Sequence, residues 1–311
     1  MGRIRRTVLA AIASIGAAAI AGGCGLSPAK RTSDVSLTVT RGFGAAQIAS
    51  VTEQRVPRSE TVMRMLEQSF RVGTRDGGGF VESIDGISAS PSRLDWFYYV
   101  NGIEAPIGAA RTAVHDGDRI WWDLHDRSAT DSVPAVVGSF PEPFVHGSGG
   151  KRLPTTLECA SDVTASCDRV ASELSSIGVP VATQLFGTGS GTDSLGVIVG
   201  TWRDVRSALV ASLIEHGPSA SGVYASFAGP EGTALELLDP RGRAVRTLGA
   251  GAGLIAATAQ GSAEPTWLIT GTDPSGVAAA AAALTPSQLQ DRFALAVQGD
   301  TDFSVPLQGS S

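Results

Sequence analysis

Val35, Leu37 and Val39 alternate with polar residues, the period of a half-buried strand, and Gly42 and Gly44 mark a turn after it. A second strand is predicted over residues 47–53. Pro57 and Ser59 then introduce a helix whose apolar stripe is Val62, Met65, Leu66 and Phe70. Gly77, Gly78 and Gly79 break the chain before a strand over Phe80–Ile84, and Asp85-Gly86 supplies a turn. Trp96, Phe97, Tyr98, Tyr99 and Val100 form a strand that runs into Asn101-Gly102, a hairpin signal because both residues tolerate positive φ. Asp116-Gly117 makes another turn before a strand over residues 120–124. Two strands, a helix and further strands predict a β-grasp-like arrangement for residues 34–127.

Residues 128–133 read as a polar linker. Ala135, Val136 and Val137 open a further strand, and Pro141, Pro143, Gly147, Gly149, Gly150 and Pro154 spell a long irregular loop. Beyond it, helical and strand periods mix. Val163, Cys167, Val170, Leu174 and Ile177 mark a helix stopped by Gly178 and Pro180, and residues 179–186 are strand-like. The apolar run over residues 195–199 suits a strand buried on both faces. Val205, Leu209 and Leu213 form the next helix stripe, stopped by Gly217-Pro218, and residues 223–227, 234–238 and 244–248 suggest three strands. Residues 197–201 and 268–272 both end in Gly-Thr before a helix, a weak internal echo. At the second, Asp273 is the predicted N-cap and Pro274 the first helical residue. An alanine-rich helix follows, and residues 293–297 give a final strand. The fold class is therefore α+β: a β-grasp-like domain followed by a mixed α/β domain over residues 134–307.

The first residues change the setting. Arg3, Arg5 and Arg6 precede an apolar stretch over residues 8–20, too short to span a bilayer, and Ala21-Gly22-Gly23-Cys24 follows. This resembles a bacterial lipoprotein signal. The resemblance implies removal of residues 1–23, a lipidated Cys24, a short tether over residues 24–33 and a lipid-anchored location on the extracytoplasmic side of the cell membrane. Ala21 stands where that pattern usually has leucine, so ordinary signal-peptide cleavage is the alternative. Several acyl chains are what stable anchoring needs.

The formal charge is −6, and loss of the three leader arginines takes it to −9, which argues against a general nucleic-acid surface. There are three cysteines. With Cys24 assigned to lipid, Cys159 and Cys167 remain as an even pair, and an exported chain favours a disulfide between them over buried thiols. With no histidine near that pair in sequence, a metal site is the weaker reading.

Residues 96–102, Gly108 and then Asp116, Gly117, Asp118, Arg119 and Ile120 resemble the transcobalamin C-terminal-like domain family. The resemblance implies a domain that closes over one face of cobalamin in the carriers that have it. Independently, successive residues of a strand face opposite sides. Trp96, Tyr98 and Val100 therefore oppose Phe97 and Tyr99, and Trp121 opposes Trp122. Aromatics on both faces of a small sheet imply that each face is covered by a ligand, a partner or the second domain. The candidate ligand contacts are Trp96, Tyr98, Tyr99, Asn101 and Trp122, with cobalamin as a possible ligand and no cofactor.

No catalytic or metal site is assigned. His115-Asp116 and His125-Asp126 abut turns, and sequence neighbours in a strand point apart. The Gly251-Ala252-Gly253 run loosely matches a dinucleotide fingerprint but also reads as a Gly/Ala packing segment. Gly187, Gly189 and Gly191 have neither P-loop nor nucleophile-elbow spacing. The leading expectation is a membrane-anchored, non-enzymatic binding or accessory lipoprotein, serving small-molecule uptake alongside a transporter. The alternative is a cell-envelope scaffold whose aromatics pack on its own second domain or on another protein. An extracytoplasmic enzyme would require His125, Asp126 and a serine to converge.

Overall fold

β1 (Val35–Arg41) buries Val35, Leu37 and Val39 on one face, as its alternation predicts. Gly42, Phe43 and Gly44 all take positive φ and return the chain into β2 (Ala46–Glu53), antiparallel to β1. The chain is described here by a computed structural model covering residues 34–308 except Pro91 and Thr192; the leader, Cys24 and the tether lie outside the described residues. Thr61, two residues beyond the predicted Ser59, caps α1 (Val62–Ser69) by accepting from the Arg64 N–H. β3 (Val72–Arg75), β4 (Phe80–Ile84) and β5 (Ile87–Ser88) make a small antiparallel sheet of their own. β3 is short and half-buried, so it carries no alternation to read in the sequence.

β6 (Leu94–Val100) turns through Asn101-Gly102, at φ of 55° and 76°, into β7 (Ile103–Glu104). β8 (Arg119–Asp126) then inserts between β1 and β6, parallel to the first and antiparallel to the second. The resulting order, β2-β1-β8-β6-β7, is β-grasp-like, with α1 on one face. Beneath α1 lie Leu37, Trp96, Ile120, Trp122 and Leu124 in one apolar cluster.

The predicted strand at residues 135–137 is reduced to a single bridge between Ile103 and Ala135. Val133, Val136, Val137, Phe140 and Phe144 are nonetheless buried, because this segment threads between the two modules. The second module opens with β9 (Thr155–Cys159), α2 (Thr164–Ser176), β10 (Val181–Leu185) and β11 (Leu195–Thr201). Cys159 and Cys167 form a disulfide from strand to helix, with Cα atoms 6.0 Å apart. Three short helices follow: α3 (Trp202–Val205), α4 (Leu209–Glu215) and α5 (Pro218–Ser221). The single stripe expected from Val205, Leu209 and Leu213 is broken by extended backbone at Ala208, which shifts the phase. Leu209 is consequently 57% exposed, while Val210, Ala211 and Ile214 are buried.

The three strands of the middle are β12 (Ala225–Phe227), β13 (Leu235–Leu238) and β14 (Ala244–Leu248), forming a separate sheet. β15 (Ala252–Thr258) and β16 (Thr266–Gly271) pair antiparallel, and α6 (Pro274–Ala282), α7 (Pro286–Leu289), β17 (Ala294–Gln298) and β18 (Thr301–Val305) complete the chain. The main sheet has the order β10-β9-β11-β16-β15-β17-β18, parallel from β10 to β16 and antiparallel beyond. The two segments of the internal echo lie side by side as β11 and β16, but the register pairs Gly200 with Thr270, one residue out of step. The Gly251-Ala252-Gly253 run leads into a buried strand and a hairpin, with no strand-to-helix turn for a dinucleotide. Gly253 is needed there because a Cβ would come 2.2 Å from the Gly276 carbonyl of α6.

Asp273 caps α6 as predicted: one carboxylate oxygen accepts from the Gly276 N–H at 2.9 Å, the other from the Gly251 N–H at 2.7 Å. Burial pushes this carboxyl up, but the hydrogen bonds from Ser275, Gly276 and Gly251 outweigh it and hold the group below its ordinary range. Asp273→Ala should therefore lower stability by about 1–2 kcal/mol near neutral pH. A depressed carboxyl gives stability that is full above its unfolded pKa of about 4 and is lost as pH falls through the lower folded value. Urea melts of wild type and variant should thus converge in strong acid. A gap unchanged at low pH would count against the capping account.

Candidate functional site

The two faces of the first sheet have different covers. α1 takes the face that carries Trp96, Trp122 and Ile120. The other face presents Tyr99 and Trp121 to the second module, where Phe293 meets them edge-on with ring centres 5.6 and 5.2 Å away. Phe43, projected by the turn after β1, packs on Tyr224 at 5.0 Å and on Phe293 at 5.1 Å. One apolar core thus crosses from the first module into the second.

A buried polar network sits inside this seam. Asp123 accepts from the Phe43 and Gly44 N–H groups at 2.9 Å each, from the Thr40 hydroxyl, and pairs with His125 Nδ1 at 2.9 Å. Trp121 Nε1 in turn donates to the Thr40 hydroxyl at 2.7 Å. The His125 ring is sandwiched between Phe97 and Phe43, with centres 4.2 and 4.4 Å away. His125 and Asp126 point apart: Asp126 accepts from Arg93 Nε at 2.7 Å and from Ser128, and among the described residues no serine bonds to His125. Elsewhere, His115 donates its backbone N–H to Asp118, and His146 pairs with Glu142 at 2.6 Å. Among the described residues no group of three or more His, Cys, Asp or Glu is placed to hold a metal ion.

The five predicted ligand contacts do not share one surface. Tyr99 is wholly buried in the seam, where its hydroxyl has no partner among the described residues. Burial pushes that phenol well above its ordinary range, with Glu104, Asp123 and Tyr224 adding in the same direction. Asn101 is also wholly buried: its amide donates to Asp118 and to the Gly147 carbonyl at 2.8 Å each, and its Oδ1 accepts from the Arg119 N–H. These bonds hold the hairpin to β8 and to the loop after the linker.

Trp96, Tyr98 and Trp122 do come together. They line a groove of about 370 Å³ at the outer edge of β6, within the size range of small-ligand pockets. Tyr98 stacks on Trp122 with centres 4.8 Å apart, and its hydroxyl bonds the Ile107 carbonyl and the Thr112 hydroxyl. Burial raises the Tyr98 phenol above its ordinary range, with the Thr112 bond opposing. The rim carries Phe80, 58% exposed, and Ile107, 45% exposed. Both follow glycine or proline breaks visible in the sequence (Gly79, Pro106), but an isolated Phe or Ile carries no period that would mark it as a rim residue. A second, larger cleft of about 710 Å³ lies between the modules and shares Glu104, Ala105 and Pro106 with the groove. Burial raises the carboxyls of Glu104 and Glu264 on its walls; Ser132 and His125 oppose this at Glu104, and Lys151 opposes it at Glu264.

Residues 59–126 match DUF4430, a domain of unknown function. The DUF4430 match thus contains α1, the small sheet, β6 to β8 and every wall of the groove. No curated protein matches the chain. Among solved structures, a candidate metal binding protein from Ruminococcus gnavus is 20% identical, with a TM-score of 0.25, over 30% of this chain and 96% of its own. Haptocorrin in complex with Cbi is 18% identical, with a TM-score of 0.25, over 31% of this chain; the chain covers 26% of haptocorrin. Likenesses this low carry no argument about what residues 59–126 bind.

Proposed function

We propose that the chain is a membrane-tethered, extracytoplasmic binding protein whose DUF4430 module holds a ligand in the groove beside Phe80, braced by the second module. The observation that carries this reading is the groove itself: exposed apolar residues rim a hollow floored by stacked aromatics. The tether rests on the Arg-rich leader and Cys24. Cobalamin is the ligand implied by the resemblance to transcobalamin C-terminal-like domains. A flat corrin calls for an open aromatic face, whereas α1 and the second module cover both faces here, which favours a smaller or narrower ligand. The scaffold reading has its own support, since it expected the aromatics to pack on the second module, as Tyr99 and Trp121 do.

The dye 1-anilinonaphthalene-8-sulfonate separates the two. Wild type should bind it saturably, and Phe80→Ala with Ile107→Ser should weaken binding about tenfold, the size of one large apolar contact, with an unchanged melting temperature. Dye binding indifferent to that pair would leave the scaffold reading in possession. Cobalamin is titrated alongside, followed by tryptophan fluorescence and corrin absorbance; silence at high micromolar ligand ends the cobalamin version. Cys24→Ala should move the chain from the membrane fraction to the soluble fraction, and a variant that stays membrane-bound would sink the tether.

A further inference from the structure

The back wall of the groove is the outer edge of β6, and its hydrogen-bond register leaves part of that edge open. β8 pairs with the whole of β6 on one side. On the other, β7 covers only Tyr99 and Val100, and a bridge from Ser90 covers Leu94. β7 ends at Glu104. The Asn101 N–H donates to the Arg119 carbonyl at 2.8 Å, in register with the pairs that follow. Narrow pairs alternate in an antiparallel ladder, so Asp95, Phe97 and Tyr99 turn their backbone groups toward β8. Trp96 and Tyr98 turn theirs outward, toward the groove they line.

Half of those outward groups are taken. The Tyr98 carbonyl accepts a long bond from the Ala105 N–H at 3.4 Å, and the Trp96 N–H donates to Asp95 Oδ1 at 3.0 Å. The Trp96 carbonyl and the Tyr98 N–H remain without a partner among the described residues. One acceptor and one donor at that spacing are the two groups that a single residue of a parallel neighbouring strand engages. Natural proteins cover or charge such edges unless something is meant to pair with them.

Charge narrows the occupant further. Among the described residues, the charged ones lining the groove are Asp95, which is paired with Arg75, Glu104 and Arg111, and those lining the adjoining cleft are Glu104 and Glu264. Neither Glu104 nor Glu264 is within ion-pair distance of a basic side chain among the described residues. We propose that the groove takes an extended peptide that adds one parallel rung to β6, with an apolar side chain between Phe80 and Ile107 and a basic side chain at Glu104. This deepens the reading above and rests on it. Main-chain bonds would supply part of the affinity and the two side chains the selectivity, the usual division of labour in strand addition.

The test uses the full-length chain in detergent micelles and a fluorescein-labelled hexapeptide, Thr-Val-Thr-Val-Lys-Thr, followed by fluorescence anisotropy. Saturable binding is expected. Methylating its backbone nitrogens one at a time should weaken binding about tenfold at one position, the effect of orphaning a buried acceptor. Glu104→Gln, or glutamate for the peptide lysine, should weaken it severalfold and flatten its salt dependence. No saturable binding overturns the proposal. Equal binding by every methylated peptide, with Phe80→Ala still weakening it, overturns strand addition and leaves the groove as the site. Binding indifferent to Phe80→Ala removes the groove as well.

Discussion

Asp123→Ala is expected to be among the most damaging single changes in the chain, with a loss of about 3–5 kcal/mol in urea denaturation, as when one partner of a buried charged network is removed. Asp123 is wholly buried, and its two oxygens satisfy two backbone N–H groups, a hydroxyl and an imidazole. Deleting it leaves the buried Phe43 N–H and the half-buried Gly44 N–H facing a methyl group. Each orphaned donor adds about 1–3 kcal/mol by itself. The turn after β1 would loosen, and with it Phe43, which plugs the seam against Tyr224 and Phe293. Asp123→Asn keeps one acceptor oxygen and should fall between wild type and alanine. Thr40→Ala should cost less, because only the Trp121 indole loses its acceptor outright. A loss under about 1 kcal/mol for Asp123→Ala would mean that the backbone donors find water, and the network would be surface chemistry rather than core.

Much of this architecture is visible in the chain before it folds, and what is hidden follows a physical pattern. Strand alternation at Val35, Leu37 and Val39 and the continuous run at residues 195–199 are local signals, and the strands form where those signals lie. Asn101-Gly102 and Asp273-Pro274 are equally local, because a turn or a cap is decided by its own few residues. The aromatics on both faces of β6 and β8 announce that each face is covered. They do not announce by what, since Tyr224 and Phe293 lie about a hundred residues or more further along the chain. The pairing of His125 with Asp123 was within reach: residues two apart on a strand share a face, whereas His125 and its neighbour Asp126 do not. The open edge of β6 was out of reach, because it depends on where β7 stops and on which backbone groups the β8 register consumes. Three of the five predicted contacts reached the groove, since the same bulk that fills a core also forms its rim.

Phe293→Ala should be the second large loss, about 3–5 kcal/mol, the range for deleting a buried phenylalanine, and its character should differ from that of Asp123→Ala. Phe293 is buried just before β17 and meets Phe43, Tyr99, Trp121 and His125 with ring centres between 5.1 and 5.6 Å away. Its carbonyl also accepts from the Val137 N–H at 3.2 Å, so the one residue joins the first sheet, the linking segment and the second module. Wild type, with one core across the seam, should unfold in calorimetry as a single transition. The variant should show two, because each module keeps most of its own apolar cluster but no longer reports the other's unfolding. Truncating Phe303, half-buried on β18 with Arg246 over its ring, should leave the single transition intact, because it makes no ring contact with the seam aromatics among the described residues. The same variant bears on binding, since Phe97 and Tyr99 anchor β6 to the seam while Trp96 and Tyr98 of that strand line the groove. A loosened seam should therefore weaken groove binding without touching any groove residue. If Phe293→Ala melts in one step and binds as wild type does, the second module is a passenger and the first module holds its own shape.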